Sequence, residues 1–351
     1  MPNRDCIAFW VGGASVTIGE VLRAALFRGD LDPALARLSR KMECADQAVK
    51  LGLDPDGEAI DQMAIQFRYD NDLISAEETE AWLESRGLDA DQFQAYFEGS
   101  YWMEVLKGTV FPDRPDHLPD TAGLTRQLEA EVLMSGGFGP LAVELSRRLM
   151  VRQDPESRSG PSEIDQALKR FHEIAGVGPD RISDWLASID RDQAWFAEML
   201  EMEEAYRIRR QAVLAQGQLL RELAASRLAL TRLEIESVEF DAMDAALEGH
   251  LCVRNDGLSL EDVARESRYP FKRVEILAEN IPEDQRQNLL CARIGDVLEP
   301  STSGGLISLL RVLSKTEPGL DDPFVRTRIE QRVLNAHFSG AKAGEIRWLI
   351  S

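Results

Sequence analysis

Apolar residues in the first two thirds of the chain recur with helical spacing. Leu35, Leu38 and Met42 lie three and four residues apart, and a second apolar stripe runs from Ile60 to Phe67. The run Asp54–Gly57 between them contains proline and glycine, which interrupt a helix. The pattern therefore predicts a series of amphipathic helices.

Helix start signals support this prediction. Thr17 precedes Glu20 by three residues, and Ser75 precedes Glu78 in the same way. Such a pair predicts a capping box, in which each residue bonds the backbone of the other. Before the first of them, the apolar run Ile7–Val11 is typical of a strand.

Sequence phrases of the first half recur in the second. Leu38–Met42 matches Leu145–Leu149, and Ile60–Gln62 matches Ile164–Gln166. Trp82-Leu83, Asp91-Gln92 and Phe67 recur as Trp185-Leu186, Asp192-Gln193 and Phe171. Matches at a slowly drifting offset of roughly 100 residues predict a duplicated helical module.

The last third alternates between two periods and predicts a β-α-α-β-α-β order. Its predicted strands are Thr231–Phe240, Phe271–Leu277 and Leu306–Leu313, and its predicted helices are Ala242–Leu251, Leu258–Ala264 capped by Ser259, and one opened by Pro282. A long helix, Ile208–Leu230, is predicted to lead into it.

The predicted fold is mainly α, a duplicated helical module followed by a small α+β domain. Three prolines make the stretch Thr109–Gly123 a predicted linker. The predicted segments are 1–108 (strand and first module), 109–123 (linker), 124–230 (second module and connecting helix), 231–317 (α+β domain) and 318–351 (C-terminal helix and strand packing back on the body).

Composition narrows the class of protein. The 351 residues include 40 Lys plus Arg and 61 Asp plus Glu, a net charge of -21. This charge repels phosphate, so we expect neither a nucleic-acid partner nor an anionic membrane surface. No run is long enough to span a membrane, and the apolar stretch Cys6–Val11 is too short for a signal-peptide core, so we expect a cytoplasmic protein.

The metal-binding residue types are dispersed. Cys6, Cys44, Cys252 and Cys291 form no Cys-x-x-Cys pair, and the four histidines are equally isolated. We therefore expect no metal, no cofactor and no disulfide framework.

Two phrases in the last third resemble the parvulin family of peptidyl-prolyl isomerases. Gly257–Ala264 is similar to the family's Gly-x-Ser/Asp-Phe-x-x-Leu-Ala helix, and Ala292–Pro300 to its Leu-x-x-Gly-Glu-Val-Ser-x-Pro turn. Upstream, Val16–Val21 and the helices between Ile60 and Phe97 resemble SurA-like chaperones. The resemblance implies a helical peptide-binding body joined to a parvulin-like module.

Residues that active parvulins share are missing. Neither Leu233–Phe240 nor Gly304–Leu309 holds the family's histidine, and Glu266–Pro270 is too short for its glycine-rich phrase. We therefore expect weak or absent isomerase activity and no catalytic residue. The degenerate pocket is predicted at Glu234, Glu236, Leu306 and Ser308.

Aromatic residues are the candidate peptide contacts, since aromatic anchors are common in peptide grooves. The alternative is that they form the helical cores. Tyr96 and Trp102 are the stronger cleft candidates because they fall off the main apolar stripe. The candidate set is Phe67, Trp82, Tyr96, Tyr101, Trp102, Trp185, Trp195 and Tyr206.

These features together predict a cytoplasmic chaperone that holds an unfolded or precursor peptide for maturation or export. Modifying enzymes or a transporter are possible further partners, by analogy with peptide-maturation systems. Two alternatives stay open: an active peptidyl-prolyl isomerase, and a non-catalytic adaptor that binds one folded partner.

Overall fold

The computed structural model describes residues 6–109, 121–153, 160–340 and 346–350. The chain forms two compact units, one of residues 1–210 with 338–351 and one of residues 211–337. This division differs from the predicted one, because both helical modules lie in the first unit.

The first unit contains a three-stranded antiparallel sheet of order β2-β1-β7, with β1 Ile7–Val11, β2 Ala14–Thr17 and β7 Ile346–Trp348. Gly12 and Gly13 join β1 to β2 at φ of 54° and 84°. A two-residue turn with two positive φ angles suits the twist of a hairpin and favours glycine. The pairing of β7 with β1 places the predicted C-terminal strand on the body.

Ten α-helices are described along the chain up to the start of the second unit. They are α1 Ile18–Arg28, α2 Asp32–Leu51, α3 Gly57–Asp70, α4 Ala76–Ser85, α5 Ala90–Val105, α6 Thr121–Met134, α7 Phe138–Arg152, α8 Pro161–Ala175, α9 Ile182–Ser188 and α10 Gln193–Val213. Helix α6 begins inside the predicted linker, and residues 110–120 of that linker lie outside the described residues.

Both predicted capping boxes are present. Thr17 Oγ1 accepts from the Glu20 amide at 3.2 Å, and Ser75 Oγ accepts from the Glu78 amide at 3.1 Å. The backbone hydrogen bonds to Glu78 hold the pKa of its carboxyl below the ordinary value. These caps fix where α1 and α4 begin.

The two predicted helical modules share one hydrophobic core. Phe97 of the first and Phe171 of the second belong to the same buried cluster, together with Phe9 and Phe27. Equivalent aromatic contacts occur in both modules: Phe67 meets Trp82 edge-on, and Phe171 meets Trp185 in the same way. The shared core explains why the modules are not separate domains.

The second unit follows the predicted alternation. Its elements are α11 Gln216–Ser226, β3 Arg232–Phe240, α12 Met243–Asp256, α13 Leu260–Ser267, β4 Phe271–Leu277, α14 Glu283–Cys291, β5 Ser301–Ser303, β6 Leu306–Thr316 and α15 Pro323–Gly340. The strands form one antiparallel sheet of order β4-β3-β6-β5. Strand β5, three residues long, was not predicted.

Each face of this sheet is covered by helix. Val238 and Phe240 pack with Leu260 and Val263 of α13, whereas Leu233 and Ile235 pack with Leu289 of α14. Side chains alternate between faces along a strand, so β3 supplies both cores.

The prediction of one helix over Ile208–Leu230 is wrong. Helix α10 ends at Val213 and α11 begins at Gln216, with extended backbone at Ala215. The break brings Leu214 and Leu219 into a cluster with Ile329 of α15. Most of helix α15 therefore packs within the second unit, whereas its last residues, from Phe338, belong to the first unit, where the Phe338 and Tyr206 rings lie 6.2 Å apart. No described helix is long and apolar enough to cross a membrane.

Candidate peptide-binding site

Strand β2 is an edge strand. It pairs with β1 on one side, where Val11 lies opposite Ala14 and Ile7 lies opposite Thr17. No other described strand pairs with its second side. In an antiparallel pair, successive residues alternate between bonding the partner strand and directing N–H and C=O outward. An open edge of this kind can pair with an extended peptide.

Residues of β2 line a cleft of about 420 Å³. Its strand wall includes Val11, Ser15 and Val16; α7 contributes Leu145 and Leu149, and α10 contributes Trp195, Met199 and Met202. The remaining lining residues are Ala14, Glu20, Ala24, Arg152, Gln153 and Glu198. The volume lies within the range of about 300–1,000 Å³ that is common for ligand sites.

The cleft wall is chemically suited to varied apolar side chains. Methionine is flexible and polarisable, so Met199 and Met202 can adapt to different shapes. Arg152 and Glu198 form a half-exposed ion pair of 3.3 Å at the cleft. Trp195 is half-buried and meets Phe27 edge-on at 6.0 Å, which fixes one face of its ring.

The candidates of the first module form packed clusters and do not line this cleft. Phe67 lies edge-on to Trp82 at 5.4 Å, and Arg86 covers the Trp82 ring at 4.1 Å. Tyr96 lies under Lys41, whose Nζ is 3.5 Å from the ring centre. Burial and the negative charge of Glu131 raise the pKa of Tyr96 to about 12.

The cleft role predicted for Trp102 is wrong. Trp102 is 4% exposed and packs in a separate cluster with Cys44, Ala48 and Leu106. Tyr101 lies against it edge-on at 4.9 Å. Tyr101 and Trp102 belong to α5 but lie off its main apolar stripe. They pack against an apolar face of α2 that includes Cys44 and Ala48.

The second module supplies the candidate that does line the cleft, Trp195. Trp185 packs edge-on against Phe171 at 5.0 Å and belongs to the core. Tyr206 is 4% exposed, its ring is covered by the Arg148 guanidinium at 4.1 Å, and its hydroxyl lies 3.4 Å from Glu144. Burial and the charge of Glu144 raise the pKa of Tyr206.

The four residues predicted for the degenerate isomerase pocket do not form one pocket. On β3, Glu236 lies opposite Arg311 and Glu239 lies opposite Ser308. Glu236 and Glu239 are an odd number of residues apart and face opposite sides of the sheet, so Ser308 faces the side opposite Glu236. Leu306 is 58% exposed at the start of β6. Gln285 donates to Ser308 at 3.3 Å.

Glu234 is engaged in ionic and hydrogen bonds. Arg273 donates to its Oε1 from Nε and Nη2 at 2.9 and 2.8 Å, and Ser314 donates to its Oε2 at 3.2 Å. These hydrogen bonds hold the pKa of Glu234 below its ordinary value. A carboxylate held in this way is a poor proton donor or acceptor for catalysis near neutral pH.

No protein-family model and no curated protein sequence matches this chain. Solved structures of isomerase-related chaperones do match. PrsA from Bacillus subtilis is 13% identical over 61% of this chain and 81% of its own, with a TM-score of 0.22. The peptidylprolyl isomerase PrsA from Bacillus cereus is 11% identical over 60% and 82%, with a TM-score of 0.35.

A third match comes from the SurA-like chaperones PEB4 and Cj1289 of Campylobacter jejuni, at 9% identity over 62% of this chain and 89% of that one, with a TM-score of 0.24. Since all three TM-scores are below 0.5, these matches assign no activity and no site residue to this chain.

Most residues of the cleft were not predicted from the sequence. Ser15 and Val16 belong to a strand whose signal, two glycines between two short β-like runs, is typical of a hairpin. Leu145 and Met199 follow ordinary helical spacing, which does not distinguish a cleft wall from a core.

Proposed function

We propose that this protein is a chaperone that holds an extended, apolar segment of an unfolded or precursor peptide in the cleft beside β2. The observation that carries the proposal is that residues of the edge strand β2 line the same cleft as Trp195, Met199 and Met202. The edge offers backbone hydrogen bonds to any sequence, and the apolar wall offers side-chain contacts of low specificity.

Prolyl isomerisation is not part of the proposed function. Catalysis requires contacts that favour the twisted amide over the planar one. The carboxylates predicted for the pocket lie on the opposite sheet face from Ser308, and Glu234 is bound by Arg273 and Ser314.

We place the protein in the cytoplasm, serving a peptide-maturation or export pathway. Cys44 is buried, Cys252 is half-buried and Cys291 is exposed, and all three are free thiols, which fits a reducing compartment. Fractionation of the native cell, with the protein followed by antibody, tests the location. Recovery with the periplasmic or secreted fraction would overturn it.

The peptide-binding role is tested with a short fluorescent apolar peptide and its N-methylated forms. One form carries methyl groups on alternate amides, and the other carries them on the remaining amides. We expect one of the two to lose affinity strongly, because only one set of amides faces β2. Equal affinity of all three peptides would show that the β2 edge is not used.

The catalytic alternative is tested by a protease-coupled assay on an X-Pro peptide. We expect the uncatalysed rate with the full-length chain. Acceleration that falls when Gln285 or Ser308 is replaced by alanine would establish an active isomerase. The adaptor alternative predicts one stoichiometric folded partner in a pull-down from the native cell, where the chaperone predicts many unfolded clients.

A further inference from the structure

A second cleft of the first unit is rich in arginine, in a chain whose net charge is -21. It has a volume of about 290 Å³ and is lined by Arg28, Arg148, Arg170, Arg207 and Arg210. The carboxylates that line it are Asp30 and Glu203. Positive charge is therefore concentrated here against the sign of the whole molecule.

Internal ion pairs hold three of these arginines in place. Glu204, which is 0% exposed, accepts from Arg170 and from Arg207, the latter at 2.6 Å from Nη2. Arg148 donates from Nε to both oxygens of Glu203 at 2.7 and 2.8 Å and from Nη1 to Glu144 at 2.7 Å. Such pairs fix the guanidinium planes before any ligand binds.

Arg28 is held differently. Its side chain is 5% exposed, and its Nε donates to Asp30 Oδ2 at 2.6 Å. Both terminal nitrogens, Nη1 and Nη2, are buried without a hydrogen-bond partner among the described residues, and a Glu203 oxygen lies 3.8 Å from Nη1. A buried charged donor without an acceptor is costly, so the cleft lacks one acceptor for Arg28.

The rest of the wall is apolar. Phe27, Phe171 and Leu200 are buried, and Ile174 is half-exposed at the cleft. The volume is at the lower end of the range for ligand sites, about 300 Å³, which limits the ligand to a small group. A carboxylate next to one apolar side chain fits both the charge and the wall.

We propose that this cleft binds the C-terminal carboxylate of a peptide whose last residue is apolar, with Arg28 as the principal donor. The inference that the carboxylate belongs to a peptide rests on the proposed function. The inference that the cleft binds a carboxylate does not. Among the residues that line the cleft, arginines outnumber carboxylates by five to two. An acidic side chain inside a peptide carries the same chemistry and is distinguished by the test.

The test compares five probes by calorimetry: N-acetyl-leucine, N-acetyl-leucinamide, an apolar peptide ending in Leu with a free carboxylate, the same peptide amidated, and the amidated peptide with an internal Glu. We expect each free C-terminal acid to bind roughly tenfold or more tightly than its amide, the size of one charge-assisted hydrogen bond. If the amidated peptide with Glu binds as tightly as the acid, the site selects acidic side chains. Equal binding of acids and amides overturns the proposal.

Two variants locate the effect. Arg28→Gln is expected to remove the difference between acid and amide, and Arg210→Gln, at the exposed rim, to reduce it. Arg181→Gln, at an exposed residue that lines neither cleft, is the matched control and should leave the difference unchanged. Thermal unfolding of each variant verifies folding, and an unaltered preference in folded Arg28→Gln contradicts the proposal.

Failure of the two proposals is distinguishable. Binding of the amidated peptide that depends on Trp195, with no preference for acids, would retain the chaperone role and remove the carboxylate site. Binding of N-acetyl-leucine without binding of any peptide would retain the carboxylate site and remove the chaperone role.

Discussion

Lys41 Nζ lies 2.7 Å from Glu131 Oε2, joining α2 to α6 by an ion pair in which both side chains are buried. Arg37 donates to the other oxygen of Glu131 at 2.8 Å. Burial lowers the pKa of Lys41 despite the nearby carboxylate. The pair therefore holds a lysine charge at a position that would otherwise disfavour it.

Removing the carboxylate should be costly. Glu131→Gln leaves the Lys41 ammonium buried without its counter-ion, and we expect a loss of about 3–5 kcal/mol in the free energy of unfolding. Urea unfolding followed by circular dichroism measures it. The double variant Lys41→Met with Glu131→Leu should lose much less than the two single losses combined. Additive losses would show that the two groups are not coupled.

Tyr96 should stay neutral where most phenols ionise. Burial and the charge of Glu131 raise its pKa to about 12, above the ordinary value of 10.0. A raised folded-state pKa means that the stability contributed by the neutral phenol is present below pH 10 and is lost as the pH rises through about 12. Phenolate absorbance of the wild type and of Tyr96→Phe should coincide near pH 11 while both stay folded. A difference there would contradict the raised pKa.

Local signals explain what the sequence predicted well. The capping boxes at Thr17 and Ser75 depend on residues three positions apart, so the sequence contains the whole interaction. Strand β4 coincides with its predicted range, Phe271–Leu277, because Pro270 bounds a short run rich in β-branched and aromatic residues.

What the sequence did not predict depends on contacts distant in the chain. Trp102 is buried by Cys44 and Ala48 of another helix, which the spacing within α5 does not reveal. The lack of a hydrogen bond to the terminal nitrogens of Arg28, among the described residues, has the same origin, since Glu203, 3.8 Å from Nη1, is hydrogen-bonded by Arg148. The spacing of aromatic residues indicates which of them form hydrophobic cores. It does not indicate which residues line a cleft, because those come together from several helices and a strand only in the folded chain.

Glu204 should contribute to stability in a pH-dependent way. Burial alone would raise the pKa of its carboxyl, but the hydrogen bonds and charges of Arg207 and Arg170 bring it below the ordinary 4.5. A lowered pKa gives stability that is present above about pH 4.5 and is lost as the pH falls through the folded-state value. Glu204→Gln should lose about 2–3 kcal/mol at pH 7, less at acid pH. Exposed Glu201→Gln is the control, and a loss independent of pH would refute the ionic origin.

Trp102 and Trp195 should separate stability from peptide binding. Trp102→Ala empties a buried site between α2 and α5, so we expect a loss of about 3–5 kcal/mol in the free energy of unfolding and an unchanged Kd for an apolar peptide. Trp195→Ala removes a half-buried ring from the cleft wall. Its loss of stability should be smaller, and its Kd should rise roughly tenfold or more. Fluorescence anisotropy of a labelled peptide and urea unfolding measure the two quantities on the same preparations. A folded Trp195→Ala chain that binds with the wild-type Kd would exclude the cleft beside β2 as the peptide site, because no other predicted aromatic contact lines it.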